Sequence, residues 1–431
     1  MSLAAVAMFG LFLGACAVGM PIGYAMIATG LVYLFLIGGD IGLVAAQGVN
    51  GLFKSFILLA VPLFIFAAEV MNVGTVSERL LRFVVLVVGR VRGGLAYVNV
   101  IVSIIFAGMS GSALADAAGP GKLMIDMMTR NNRYPRGFAG ALTAASSTIG
   151  PIIPPSIPMV LYGMVSGTSI GYMFLGGVLP GLLMALALSL QILLVARRRE
   201  FPVEPMPERS AILPTVVGAA PALLLPVILL GGIYSGATTP TEAAAVASAY
   251  ALFLAIVVYR GMSWAALVGT FVTSAKATAI VAITIVGALF FNYVVASERI
   301  PFALGQWIAD QNFSPTVFLL LITVLFLVLG AFLDTLLMLL ILVPILMPSV
   351  HALGIDPVHF GVVVIVNMMI GLITPPYGEL LFLLSGVAKI PLSELIREIW
   401  PFIIVLVVAL LIMVLFPDIV LYVPRLAGYG G

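Results

Sequence analysis

The chain has 431 residues, 63% of them hydrophobic and only 8% charged, with a formal net charge of +2. Soluble domains carry roughly a quarter charged residues, so a soluble fold is excluded, and so small a net charge gives no reason to expect a nucleic-acid partner. Apolar stretches of about 20 residues, enough to span a bilayer, recur from end to end. The ~10-residue alternating segments of a transmembrane β-barrel do not. The composition describes an all-α polytopic membrane protein.

Residues 3–19 read as an uncleaved first span. Cys16 follows "LGA", loosely like a lipoprotein cleavage site, but a secretory signal opens on positive residues and the first Lys or Arg is Lys54. Cys16 is the single cysteine, so no intramolecular disulfide or multi-cysteine metal site can form. Spans at 22–37 and 55–72 lead to a basic cluster, Arg79, Arg82, Arg90 and Arg92. A second cluster is Arg130, Arg133 and Arg136, and a third is Arg197, Arg198, Arg199 and Arg209. Cytoplasmic loops are enriched in such residues. One crossing by residues 93–128 would put the first two clusters on opposite sides, whereas a re-entrant hairpin keeps both cytoplasmic. Its tip is the small-residue run "GMSGSALAD", 108–116. Residues 137–164 then cross outward and 172–196 return.

Spans at 211–233, 240–259 and 277–296 follow. No Lys or Arg occurs from Ile300 to Ala388, which suits an exterior-facing region. Within it, 318–346 breaks at Gly330 and resumes after Asp334, a second hairpin entered from outside. Residues 358–385 cross inward to Lys389 and Arg397, and 400–423 cross out, leaving both termini periplasmic. This arrangement makes 15 of the 19 basic residues cytoplasmic. Lys122 lies on the first hairpin, and Lys54, Arg299 and Arg425 are the exterior exceptions. The alternative is that both hairpins are ordinary kinked spans.

Two proline-rich breaks interrupt this apolar background. "IGPIIPPS" (149–156), in the first half of the chain, is matched at five of seven positions by "IGLITPP" (370–376) in the second. "SER" occurs at 77–79 and 297–299, the aspartates ending "GSALAD" and "GAFLD" stand at 116 and 334, and Pro21 pairs with Pro240. Four landmarks in one order at a nearly constant offset argue for duplication. Each half holds five spans and a hairpin, and five being odd, the second copy enters the membrane upside down. Inverted repeats with broken helices at mid-membrane mark secondary transporters.

A proline costs about 3 kcal/mol in a helix interior, and irregular backbone persists in a membrane only inside protein or beside a water-filled cavity. The breaks free carbonyl oxygens for a small cation and expose half-helix N-termini suited to an anion. Ser110, Ser112 and Asp116 lie at the first tip, Asp334 and Thr335 at the second. Ser146, Ser147, Thr148 and Ser156 flank the first break, and Thr374, Tyr377 and Glu379 the second. Each serine or glycine here also fits a plain helix contact. Asp116 and Asp334 read as helix caps in preference to ligands. Glu242 follows Pro at a helix start, where a carboxylate is favourable structurally. Glu69 is an intramembrane carboxylate with no evident partner.

No catalytic constellation stands out. His351 and His359 are the only histidines. "GMSGSA" departs from the Gly-x-Ser-x-Gly elbow and lacks its α/β setting. An intramembrane hydrolase is a poor second reading and a channel a third; Na⁺-dependent, saturable uptake separates transport from both. The chain is read as a transporter and not an enzyme.

The runs "LLAVPLFIFAAEVM", "RGGLAYVNV", "FAGMSGSALAD", "IGPIIPPSIPMVLYG", "GIYSGATTPTEAAAVASAYAL", "GAFLD", "GIDPVHFGV" and "IGLITPP" strongly resemble the large membrane subunit (DctM-like) of the tripartite ATP-independent periplasmic (TRAP) transporters. The resemblance covers nearly the whole chain and departs around "AGPGKLMIDMM" (118–128), on the return helix of the first hairpin. It implies a fold similar to the dicarboxylate/sodium symporters, with a scaffold and a moving elevator domain. The corresponding division is 1–92 scaffold and arm helix, 93–200 transport half, 201–313 scaffold and arm helix, and 314–431 transport half. It implies Na⁺-coupled import of a small organic acid across the bacterial inner membrane. A periplasmic substrate-binding protein would deliver the acid, and a separate small four-helix membrane subunit would support the scaffold. Carried over, the Na⁺ ligands are Ser110, Gly111, Ser112, Gly150 and Pro154 on one side. On the other they are Gly330, Asp334, Gly371, Thr374 and Pro376. The expected substrate contacts are Ser112, Thr148, Pro155, Ser156, Thr335, Tyr377 and Gly378.

Overall fold

A computed structural model describes residues 2–54, 56–73, 76–203, 209–311 and 313–431. Ser55, where the third span was expected to begin, lies outside the described residues, as do the side chains of the basic residues Lys54 and Arg209. Among the described residues every regular element is helical, with no strand. Among these residues six helices are long and apolar enough to cross a membrane, and shorter apolar helices precede and separate them. The chain is a multi-pass helical membrane protein.

Both proline-rich segments break helices where the sequence places them. Helix Arg136–Ser147 ends before the first break and Ile157–Ser166 begins after it. Pro357–Gly371 and Glu379–Ala388 flank the second. Ser156 caps the resumed first helix by accepting from the Met159 amide, and Gly378, at φ +50°, opens the second. The two hairpins follow the same scheme. Gly94–Ser110 turns at Gly111, φ +60°, into a return arm over 113–129. Pro315–Gly330 turns into Thr335–Ala352. That second return arm has 18 residues, about 27 Å of helix, so length alone would let it span. Its apolar window is 61% buried, so its surroundings are mostly protein.

The matching elements start at 94 and 315, 113 and 335, 136 and 357, 157 and 379, and 170 and 392, so the offset between partners is constant to within one position. Packing follows the same correspondence. Ile22–Ile37 packs on Trp264–Ser297, while Pro240–Phe253 packs on Ala60–Val73. Ile157–Ser166 packs on the second hairpin's return arm, and Glu379–Ala388 packs on the first hairpin's. Each broken helix thus sends its resumed half across to the other hairpin.

Two expectations need correction, and one element was not foreseen. The span expected at 400–423 is two helices, Leu392–Leu415 and Asp418–Leu426, because the residue before Pro417 is driven out of helical geometry; Phe416 has φ −122° and ψ 82°. The span expected at 277–296 is part of one helix, Trp264–Ser297, capped by Ser263. The short helix Gly42–Lys54 escaped the sequence reading because "QGVNG" interrupts its apolar pattern. The return arm of the first hairpin is also irregular, with a π-helical turn over Ala117–Gly121 around Pro120. That turn overlaps the start of the 118–128 stretch where the family resemblance lapses.

Candidate functional site

The first hairpin tip sits against the first break. An added Cβ on Gly111 would lie 2.6 Å from the Pro155 carbonyl oxygen, so only glycine permits this approach and this positive φ. One on Gly150 would lie 3.2 Å from the Ser147 carbonyl and 3.6 Å from that of Ser112. Ser110, Gly111, Ser112, Gly150, Pro154 and Pro155 are therefore neighbours, as expected. Ser110, Thr148 and Ser156 are buried, and the Ser110 hydroxyl has no hydrogen-bond partner. Thr148 and Ser156 direct their hydroxyls to local carbonyls, of Ala145 at 2.6 Å and of Pro151 respectively. Among the described residues, the carbonyls of Gly150, Ile152, Ile153, Pro154 and Pro155 accept no hydrogen bond. Buried carbonyls are ordinarily paired, so these five form a reserve of neutral oxygen donors.

The second pair is similarly close. An added Cβ on Gly371 would stand 2.7 Å from the Gly330 Cα and 2.9 Å from its carbonyl oxygen. Here the carbonyls of Ile373, Thr374, Pro375, Pro376 and Tyr377 accept nothing. Thr374 donates its hydroxyl to the Ile370 carbonyl at 2.7 Å, and the buried Thr335 hydroxyl has no partner. Tyr377 is 57% exposed and packs on Phe382, ring centroids 5.3 Å apart. Both Pro154–Pro155 and Pro375–Pro376 bonds are cis.

The two aspartates do not share a role. Asp334 is a cap: its carboxylate accepts from the Leu336 amide at 2.8 Å and the Leu337 amide at 3.3 Å. Asp116 is not, because the helix begins before it, at Ala113, and Ser112 accepts the capping bond from the Ala115 amide. The true counterpart of Asp334 is therefore Ser112, each standing immediately before its hairpin's return arm. Asp116 is instead buried, with neither carboxyl oxygen in a well-formed hydrogen bond and the Ser103 and Ser147 hydroxyls beside it.

Sequence reasoning missed a polar seam behind the first tip. The Asn99 amide donates to Thr143 at 2.7 Å, Ser103 to Ser146 at 3.0 Å, and Ser146 to the Asn99 carbonyl oxygen at 2.9 Å. Asn99, Ser103 and Ser110 recur at helical spacing along the hairpin's first arm, which was the available signal. Thr323, one position from the repeat counterpart of Ser103, and Asn367, the counterpart of Ser146, are also buried, each with an unpartnered oxygen. Elsewhere, Glu242 completes a capping box with Thr239, the structural role expected of it. Glu69 lies half-buried, and the buried His359 places Nε2 2.9 Å from the Met413 carbonyl. Among the described residues no three His, Cys, Asp or Glu side chains group as a metal site. Any cation held here would rely chiefly on backbone and hydroxyl oxygens.

Comparison with known proteins decides the family. The family model described as "Tripartite ATP-independent periplasmic transporter, DctM component" matches residues 9–419. The chain belongs to this family of TRAP transporter large permeases. It is 43% identical to the sialic acid TRAP transporter large permease protein SiaM of Vibrio cholerae, over 97% of this chain and 98% of that one. It is 39% identical to the 2,3-diketo-L-gulonate TRAP transporter large permease protein YiaN of Escherichia coli, covering 96% and 97%. It is 40% identical to the C4-dicarboxylate TRAP transporter large permease protein DctM of Pseudomonas aeruginosa, covering 87% and 88%. These relatives of the TRAP permease are transport components and not enzymes. In fold it is similar to the Alcanivorax borkumensis YdaH transporter, with a TM-score of 0.62 and 15% identity over 84% of this chain and 85% of that one.

Proposed function

We propose that this TRAP permease imports a small organic acid by symport with Na⁺, as the large subunit of a three-part system in the bacterial inner membrane. The observation that carries the reading is the meeting of each hairpin tip with a broken helix whose carbonyls are unspent. Neutral oxygens converging on a glycine-lined contact suit a small monovalent cation. Ser110, Gly111, Ser112, Gly150 and Pro154 hold one Na⁺, and Gly330, Asp334, Gly371, Thr374 and Pro376 hold another. Asp116, buried with both oxygens unspent, adds a carboxyl donor behind the first tip. Between the two, Ser112, Thr148, Pro155, Ser156, Thr335, Tyr377 and Gly378 receive the substrate. The N-termini of Ile157–Ser166 and Glu379–Ala388 supply the positive dipole ends that favour its carboxylate.

The carboxylate class follows from the relatives, whose names give sialic acid, 2,3-diketo-L-gulonate and C4-dicarboxylates. A periplasmic binding protein delivers the acid, and a small membrane subunit packs on the scaffold. The exchanged packing described above is what two inverted repeats require. Residues 1–92 and 201–313 form the fixed scaffold, and 93–200 and 314–431 form the body that moves as an elevator. Both termini face the periplasm and the arginine clusters face the cytoplasm.

The test is uptake by proteoliposomes holding this chain, its small subunit and loaded binding protein. Substrate should accumulate only with an inward Na⁺ gradient. Full uptake driven by a proton gradient without Na⁺ would overturn the coupling.

A further inference from the structure

An amphipathic wedge opens where the helix Val76–Val88 faces the first hairpin's return arm and the start of helix Arg209–Tyr234. Its cavity is about 900 Å³, far more than one ion needs; a water molecule's share of liquid volume is about 30 Å³. Its apolar wall is made by Leu81, Val85, Leu123 and Met127, and its rim carries Arg82, Arg90 and Arg130. A second cavity of about 420 Å³ adjoins it, sharing Glu78, Arg82 and Thr215 and adding Arg79. Two acids, Glu78 and Asp126, also line the larger cavity, leaving the four arginines an excess of two positive charges. Glu78 neutralises little, since its contact with Arg82 is 3.6 Å long and both side chains are well exposed.

Arg79 points most directly to a missing partner. Its guanidinium lies over the Tyr259 ring, 4.5 Å from the centroid, and its buried Nε meets no acceptor. It makes no ion pair among the described residues. A partly buried guanidinium without an anion bears a desolvation cost that a counter-ion would offset, and its planar fork matches phosphate. Basic pockets between helices on the cytoplasmic side suit the headgroups of anionic lipids.

We propose that the wedge binds an anionic phospholipid of the cytoplasmic leaflet, preferentially one carrying two phosphates, such as cardiolipin. One phosphate meets Arg79 and Arg82, the other Arg90 and Arg130, and the acyl chains lie along Leu81, Val85 and Leu123. A free phosphate offers the same charge but leaves the apolar wall bare. The leaflet, and the consequence that this lipid sits between scaffold and moving body and sets how freely they slide, rest on the orientation and domains proposed above. The binding itself does not.

The experiment follows thermal unfolding of the purified complex with its small subunit in neutral detergent, with added cardiolipin, phosphatidylglycerol, phosphatidylethanolamine or inorganic phosphate. Cardiolipin should raise the midpoint most, phosphatidylglycerol less, and the other two not at all. The double variant Arg82→Gln/Arg90→Gln, at two exposed positions, should lose at least half of the cardiolipin shift. Arg79→Gln should lose it too. An equal shift in wild type and the double variant, a shift reproduced by inorganic phosphate, or no shift with any lipid would each overturn the proposal. None of these readouts involves Na⁺ or transport, so they fail or succeed separately from the symport reading.

Discussion

The contact between the second hairpin tip and the second break can be opened by a single carbon atom. In Gly371→Ala the new Cβ would stand 2.7 Å from the Gly330 Cα. Ordinary van der Waals contact begins near 3.4 Å, so the tip must retreat by about 0.7 Å. Metal–ligand distances are held to within about 0.2 Å, so this displacement takes at least one oxygen out of reach of a cation. Gly371 has an ordinary helical backbone, so the substitution carries no φ penalty. Gly167→Ala is the complementary control: φ is +72° but nothing lies within 4 Å of the added carbon. That change bears the left-handed cost of about 1–2 kcal/mol and moves no tip. The Na⁺ dependence of uptake and the unfolding midpoint should therefore separate. For Gly371→Ala the half-saturating Na⁺ concentration should rise by at least about tenfold, equivalent to about 1.4 kcal/mol, in folded, monodisperse protein. Gly167→Ala should unfold earlier while keeping its Na⁺ dependence. A Gly371→Ala protein with wild-type half-saturation would refute the role of this contact, whatever its stability.

Two further predictions test the topology and the anchoring of the N-terminus. In a Cys16→Ser background, Ala352→Cys should react with an impermeant thiol reagent from the periplasm and Asn132→Cys only from the cytoplasm; the reverse at either position would remove the inverted arrangement. Glu298, just beyond helix Trp264–Ser297, accepts from the Ser2 hydroxyl at 2.5 Å, the Ser2 amide at 2.8 Å and Tyr33 at 2.8 Å. These bonds, the Ser2 hydroxyl foremost, hold its carboxyl below the usual range, so the anchoring is present above the ordinary glutamate value of 4.5 and lost as pH falls through the lowered one. Helix Leu3–Ala17 should therefore exchange amide hydrogens several-fold faster in Glu298→Gln at neutral pH, and wild type should approach the variant only below pH 4.5; identical exchange at neutral pH would show that the contact holds nothing.

What the sequence made legible was the punctuation. Proline at 154–155 and 375–376 and glycine at 111 act through local sterics, so the breaks and tips could be placed without knowing their neighbours. The cap could not be assigned in the same way. "SALAD" offers Ser112 and Asp116, both good caps, and the choice depends on where the turn at Gly111 releases the chain. It releases at Ser112, so the serine caps and the aspartate is carried inward. "GAFLD" has no serine before its aspartate, so Asp334 takes the capping place. Matching the two aspartates by sequence therefore aligned residues with different work, out of the structural register by a full helical turn. Tertiary placement likewise hid the seam of Asn99, Ser103, Thr143 and Ser146. Its members are scattered single polar residues until the hairpin arm and the half-helix meet.

That exchange of caps makes the two sites chemically unequal. The first tip presents a neutral hydroxyl at its helix N-terminus and holds its carboxylate, Asp116, behind it in the buried seam. The second tip puts its carboxylate at the N-terminus itself, within electrostatic reach of Glu379, and its break is open enough to leave Tyr377 exposed. A cation at the second site meets two carboxyl groups and solvent first, whereas one at the first must enter an enclosed shell of carbonyls and hydroxyls. In the arrangement proposed above, duplication accounts for there being two sites. The single difference between Ser112 and Asp334 explains why, on the reading proposed above, they should fill in a fixed order, the open and acidic one first.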